Sequence, residues 1–310
     1  MPEVRHLLAD DDLSPAEQAT VLDLAATLKA APYDHKPLAG PVTVAMIFDK
    51  PTLRTQSSFA AGIAELGGHP MLVDGALAGI GVRESVSDVA RVLGRQAGQV
   101  VWRTFAQASL EEMAEHAGVP VINALTDDFH PCQLLADLLT IREHKGALSG
   151  LRAVFLGDAA CNMGNSWALA GATAGMHVVL SGPDGHQPTD AVVARARAVA
   201  ATTGGSVELV TDPAEAVADA DVVVTDTWIS MGKEDEAAAR LAVLEPYRLD
   251  QRLLDRARPD AVVLHCLPAY RGKEITGEVL DGPASVVWDE AENRRHVQKA
   301  VMTWLQEQRP

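Results

Sequence analysis

The sequence predicts an α/β protein built of two parallel-sheet domains with an active-site cleft between them. Three observations carry this expectation. Short, β-branched apolar runs alternate with helix-like stretches, which is the βαβ rhythm of a parallel sheet. The series is broken once, at Gly146-Ala147-Leu148-Ser149-Gly150, and then restarts. A chain of 310 residues with 47% hydrophobic content is long enough for two cores. The expected domains are therefore 1–146 and 147–291, with the final helical stretch 292–310 packing back on the first.

The elements follow in order. A helix is expected around Ala16 to Ala31. Pro41 to Phe48 (PVTVAMIF) reads as a buried strand, and Arg54 to Leu66 as a helix whose apolar spacing falls on Phe59, Ile63 and Leu66. Further strands are expected at Met71 to Val73, Val100 to Thr104 and Val121 to Ala124, then a strong helix from His130 to Lys145. After the break come strands at Ala153 to Leu156, Val178 to Leu180, Val207 to Val210, Val222 to Thr225 and Val262 to His265. The Ala-rich stretch Ala191 to Ala201 reads as a plain surface helix, and Glu292 to Gln308 as the last helix.

Composition narrows the partners. With 26 Lys+Arg against 42 Asp+Glu, the formal net charge of -16 opposes binding to nucleic acid or to an anionic membrane surface. Cys132, Cys161 and Cys266 lack framework spacing, and the start of the chain has no apolar signal core, so a reduced, cytoplasmic protein is expected. No apolar run approaches the ~18 residues needed to span a bilayer.

Ligands of open parallel sheets gather beyond the carboxyl ends of strands, and the polar clusters of this chain occupy those ends. After Phe48, the segment Asp49-Lys50-Pro51-Thr52-Leu53-Arg54-Thr55 opens a helix. A helix start combines unpaired N–H groups with a partial positive charge, so an anion fits there, aided by Thr52, Arg54 and Thr55. An ordinary Thr-capped helix start is the plainer alternative. Arg103, His130 and Gln133 add a cation, an imidazole and an amide, a set suited to a phosphate joined to a polar planar group. His130 and Gln133 can equally be helix caps. In the second half, Asn162, Asp226, Ser230 and Met231 offer groups that match the ammonium and carboxylate of an amino acid, although each alone is also an ordinary turn or cap residue.

Cys266 follows a buried-type strand, where a cysteine is usually inert core. A Cys-His nucleophile with His265 is disfavoured because adjacent strand residues point to opposite faces. Zinc held by His130, Cys132, His265 and Cys266 lacks the usual ligand spacing. Gly157-Asp158-Ala159-Ala160-Cys161-Asn162 lacks the dinucleotide fingerprint. No Rossmann cofactor is implied.

Taken in order, the motifs resemble the aspartate and ornithine carbamoyltransferase family, its ornithine branch in particular, over nearly the whole chain. Asp226-Thr227-Trp228-Ile229-Ser230-Met231-Gly232 is similar to D-x-W-x-S-M-G. His265-Cys266-Leu267-Pro268 matches H-C-L-P, His130-Pro131-Cys132-Gln133 matches H-P-C-Q, and Glu292-Asn293-Arg294 matches E-N-R. The resemblance implies transfer of a carbamoyl group from carbamoyl phosphate to L-ornithine, giving citrulline in arginine biosynthesis. It implies a homotrimer, or a higher assembly of trimers, with sites between the domains and near a neighbouring subunit, and it implies no metal and no organic cofactor. Domain 1–146 would bind carbamoyl phosphate and domain 147–291 ornithine. Thr52, Leu53, Arg54, Thr55, Arg103, His130, Gln133, Cys266, Leu267 and Arg294 would hold carbamoyl phosphate. Asn162, Asp226, Ser230 and Met231 would hold ornithine. Arg103, His130, Asp226 and Cys266 would carry the chemistry, and the Leu267-Pro268 bond would be cis.

The departures from the family pattern gather on the phosphate side. Where the family reads S-T-R-T-R, this chain has Thr52-Leu53-Arg54-Thr55-Gln56, losing a hydroxyl at Leu53 and a positive charge at Gln56. Each lost charge-assisted donor weakens phosphate binding by ~1.5 to 3 kcal/mol unless replaced. The neighbour-subunit loop of the family carries a Gln where this chain has Gly79, with Arg83 a few residues on as a candidate replacement. Cys161 stands where the amino-acid side commonly has Asn. These changes leave open a different amine acceptor, resistance to an inhibitor that mimics carbamoyl phosphate, or a non-catalytic amino-acid-binding regulator.

Overall fold

A computed structural model describes residues 4–229 and 237–309. By contacts the chain divides into two compact units, Met1–Ala136 with Glu292–Pro310, and Asp137–Ala291. The division falls inside the helix Pro131–Lys145, while the Gly146–Gly150 segment follows the end of that helix within the second unit.

The first unit holds four parallel strands: β1 (Thr43–Phe48), β2 (His69–Asp74), β3 (Gln99–Arg103) and β4 (Val121–Leu125), in the order β2-β1-β3-β4. Phe48 stands opposite both Asp74 and Arg103, so β1, β2 and β3 end level with one another. One face is packed by Ala45, Ile47, Val100, Trp102 and Val121 against Ala90, Leu110 and Met113 of the helices Val86–Gln96 and Gln107–Ala117. The helix Arg54–Glu65 buries Phe59 and Ile63, and Leu66 just beyond it is buried too, so the apolar spacing in the sequence marks its inward face.

The second unit holds β5 (Arg152–Leu156), β6 (His177–Ser181), β7 (Ser206–Leu209), β8 (Val222–Thr225) and β9 (Val262–Leu264). All pairings are parallel and the order is β7-β6-β5-β8-β9. Leu156 pairs with Thr225 and Val224 with Leu264, so β5, β8 and β9 also deliver their following loops side by side. Val154, Leu156, Val223 and Val263 form the sheet side of this core. The Ala-rich helix is longer than expected, Asp190–Thr203, and it is a surface helix with one buried edge, Val193, Ala196 and Ala200.

The last helix, Val287–Glu307, begins earlier than the sequence suggested and carries the chain back to the first unit. There Lys299, fully buried, donates to the Leu28 carbonyl at 3.4 Å, the Pro32 carbonyl at 2.9 Å and Glu65 Oε2 at 2.8 Å. A buried ammonium is tolerable only with such partners. Lys29 donates to Asn293 Oδ1 at 2.8 Å and Gln99 to the Met302 carbonyl at 2.8 Å. Among the described residues, no helix is long and apolar enough to cross a membrane.

Candidate functional site

Each sheet reverses its winding once, between β1 and β3 in the first unit and between β5 and β8 in the second. Neighbouring loops diverge at such a point and leave room for a ligand. The motifs after β1, β3, β5 and β8 emerge there, and those after β4 and β9 follow the adjoining edge strands.

In the first unit, the Asp49 N–H donates to the Arg103 carbonyl at 2.9 Å, which ties the exit of β1 to the end of β3. Trp102 Nε1 donates to Asp49 Oδ2 at 2.8 Å. The helix Arg54–Glu65 then starts with Leu53 at its N-cap, in a helical conformation (φ -101°, ψ -56°) and without a side-chain cap. Thr52 partly substitutes, its Oγ1 accepting the Thr55 N–H at 3.3 Å. That bond corrects the expectation that these N–H groups are simply open. The Leu53 side chain is 78% exposed, so only its backbone can serve an anion. Thr55 Oγ1 accepts Arg294 Nη2 at 2.9 Å, and both residues are buried.

His130 is buried and begins the turn into the helix Pro131–Lys145. Its loop is held by Thr126, which exchanges bonds with Phe129 (Thr126 N to Phe129 O 2.9 Å, Phe129 N to Thr126 Oγ1 3.1 Å) and donates to Gln107 Oε1 at 2.8 Å. Burial, and then the charges of Arg294, Arg103 and Lys50, hold the imidazole well below its ordinary value of 6.5. His130 is therefore neutral at neutral pH, able to donate one hydrogen bond without carrying charge. Arg103 and Gln133 are buried alongside in this unit, and Arg54 is half-buried.

In the second unit, Cys266 Sγ donates to Asp226 Oδ1 at 3.1 Å, and the Thr227 N–H donates to the same oxygen at 2.7 Å. Burial raises the Asp226 carboxyl above its ordinary value, against the opposing effects of His265, Cys266 and Thr227. Burial, Asp226 and Glu290 push the Cys266 thiol well above 9.0. Cys266 is thus a protonated hydrogen-bond donor, neither inert core nor an activated nucleophile.

His265, just beyond the end of β9, is held by partners of its own. Its Nδ1 accepts the Leu267 N–H at 2.9 Å, which leaves the proton on Nε2 to face Glu274 Oε1 at 3.2 Å. The His265 N–H donates to Glu290 Oε2 at 2.9 Å, and His265, Glu274 and Glu290 are all buried. Leu267 is held at φ 57°, in the left-handed region, and the Leu267-Pro268 bond is cis as the resemblance implied. Ligand atoms of Asp226, His265 and Cys266 lie within 4.8 Å of one another, but both imidazole nitrogens are already engaged. His130 and Cys132 fall in the first unit and His265 and Cys266 in the second.

Asn162 opens the helix Asn162–Thr173 and is half-buried, with Cys161 at the N-cap position. Asp158, earlier in the same loop, accepts from His186 Nδ1 at 2.9 Å and pairs with Arg240, whose Nε donates to the Trp228 carbonyl at 2.8 Å. Ser230 and Met231 lie outside the described residues. Gly79 caps the short helix Gly75–Ala78 at φ 64°, ψ 40°. Its backbone therefore asks for glycine, beyond the mere absence of a Gln side chain. Arg83 is exposed. Sequence reasoning missed Lys50, Glu274 and Glu290. Lys50 carried a signal, a cation in a strand-to-helix loop; the two glutamates carried none, because nothing local distinguishes them from surface acids.

Two parallel α/β sheets, each with polar loops at a winding reversal, define a class of ligand-binding α/β proteins. The chain belongs to the aspartate/ornithine carbamoyltransferase family: the family's carbamoyl-P binding domain matches residues 5–143 and its Asp/Orn binding domain residues 149–305. An ornithine carbamoyltransferase of Clavibacter michiganensis is 62% identical over 301 residues, 97% of this chain and 98% of the relative. The crystal structure of ornithine carbamoyltransferase from Gloeobacter violaceus is 43% identical with a TM-score of 0.89, covering 99% of this chain and 100% of that one. The Pyrococcus furiosus enzyme is 41% identical with a TM-score of 0.95, covering 99% of each chain.

Proposed function

We propose that the protein transfers the carbamoyl group of carbamoyl phosphate to the side-chain amine of L-ornithine, giving L-citrulline and phosphate. The observation that carries this reading is the Asp226–Cys266 pair, a desolvated carboxylate and a protonated thiol at the head of the second sheet. The ornithine carbamoyltransferase names of the relatives support the same acceptor.

The roles follow from the chemistry. Thr52, Arg54, Thr55 and the backbone at Leu53 hold the phosphate. Arg103, His130 and Arg294 donate to the carbamoyl oxygen, where negative charge grows during attack. Gln133 and the Leu267 carbonyl take the carbamoyl NH₂. Asn162, Asp226, Ser230 and Met231 bind ornithine. An alkyl amine has a pKa of ~10.4 and arrives protonated at neutral pH. Asp226, being a stronger base than an exposed carboxylate, receives or orients the amine proton beside Cys266. The free amine attacks the carbamoyl carbon, the C–O bond to phosphate breaks, and no covalent enzyme intermediate is needed. The unit 1–146 with the C-terminal helix serves carbamoyl phosphate and 147–291 serves ornithine. The setting is a cytoplasmic homotrimer in arginine biosynthesis. An edge strand, β2, and the exposed Leu72, Leu77 and Val82 near it support an apolar contact between copies.

The altered loop favours a second reading of the same site, a weaker grip on phosphate and its mimics. Purified protein with carbamoyl phosphate and a panel of diamino acids, scored for ureido product and phosphate, tests both. Product from ornithine is expected. Product only from another amine shifts the acceptor, and none at high carbamoyl phosphate removes the enzymatic reading.

A further inference from the structure

Lys50 lies in the loop after β1, yet it is only 6% exposed. Its ammonium pairs with Asp127, in the loop after β4. It also lies over the Phe105 ring, 4.4 Å from the centroid, in the loop after β3. The Asp127 N–H donates to the Phe105 carbonyl at 2.8 Å, which joins the last two loops to each other. One cation therefore knits the three strand ends that carry Arg54 and Thr55, Arg103, and His130. Its charge is one of the three felt at the His130 imidazole. Lys50 is buried while Asp127 is 61% exposed on its side chain, so the pair is oriented with the cation inward and the counter-charge at the surface.

We infer that Lys50 and Asp127 act as one positioning unit for the anion site, fixing the phosphate loop against the loop that presents His130. This rests on the carbamoyl phosphate reading of that site. It extends the reading to residues that need not touch the substrate, because an ion pair bridging loops sets their separation and removal of Asp127 leaves the buried Lys50 charge without that counter-charge.

The test combines steady-state kinetics of Lys50→Met, Asp127→Asn and the double variant with calorimetric binding of inorganic phosphate. Lys50→Met is expected to raise the KM for carbamoyl phosphate about tenfold or more, and Asp127→Asn several-fold. The KM for ornithine stays within about twofold of wild type. The double variant is expected to be no worse than Lys50→Met, because partners in one interaction are not additive. Lys50→Arg keeps a cation over Phe105 and should recover part of the loss. Asp127→Asn alters an exposed side chain and keeps the experiment decisive if Lys50→Met fails to fold. The inference is overturned if the variants melt earlier but keep the wild-type KM and phosphate affinity, or if the two effects multiply. Phosphate binding separates the two levels. Variants that lose phosphate affinity uphold the positioning role even where wild type forms no ureido product, and that absence counts against the proposed reaction alone.

Discussion

The loop Phe48–Thr55 follows a strand at a winding reversal and the turn His265–Pro268 follows the edge strand β9, and the two are built on opposite principles. The turn is held from behind. Both nitrogens of His265 are engaged, its backbone N–H reaches a buried glutamate, and Cys266 is left facing Asp226. The loop is held from the sides by Thr52, Arg294 and Lys50, with an exposed leucine at the cap position. The comparison teaches where substitution is tolerated. A helix start that offers backbone donors can exchange side chains and keep its shape, whereas a turn whose shape depends on a buried side-chain network cannot.

The strongest way to break this contrast is His265→Leu. It removes the Nε2 donor from Glu274, which keeps the Tyr270 N–H, and the acceptor of the Leu267 N–H, and each buried group so left unsatisfied costs ~1 to 3 kcal/mol, more where it is charged. Chemical denaturation should show that loss. A change under 1 kcal/mol, on the scale of an ordinary surface substitution, would erase the distinction drawn here.

Asp226→Asn comes next, with the KM for ornithine expected to rise about tenfold or more as a charged partner is removed. It also carries a pH signature. Burial raises the Asp226 carboxyl, so its support of the fold is present when protonated and lost as pH rises through that raised value. Relative to wild type, Asp226→Asn should therefore melt higher at about pH 8, and the gain should close as pH falls toward the ordinary 3.8. A gain that is flat with pH would show that Asp226 is not strained by burial.

On the other side, Leu53→Thr with Gln56→Arg restores a hydroxyl and a guanidinium, and should lower the KM for carbamoyl phosphate about tenfold. An unchanged KM would mean that the native loop is already compensated. The smallest effect is expected at Gly79, where a β-carbon at φ 64° costs ~1 kcal/mol. Gly79→Ala should lower the melting temperature by a few degrees and leave the KM for ornithine unchanged.

Among the described residues, all nine strands were legible in the sequence because each contains an apolar run with turn residues near its ends. The inward face of Arg54–Glu65 was legible because its period is local. The residues at the strand ends could be named for the same reason. What could not be read was pairing at long range. Nothing near Arg294 says that it reaches Thr55, nothing near Glu274 says that it faces His265, and Gly79 read as a missing side chain until its backbone angle was known. Such pairings arise only when the sheets bring distant loops level. The helix Val287–Glu307 started earlier than its charged face suggested because Val287 is already in the core of the second unit.

That final helix also sets an order of events during synthesis. Residues 137–291 are all made before Arg294, Lys299 and their neighbours, for which the first unit still waits. A protein emerging at ~5 to 20 residues per second therefore presents its whole inserted unit first, and the earlier unit stays incomplete until the segment with Arg294 and Lys299 follows. Thr55 has no guanidinium partner until then. A message cut short upstream of Arg294 would yield a chain with a finished amino-acid side and an unfinished phosphate side.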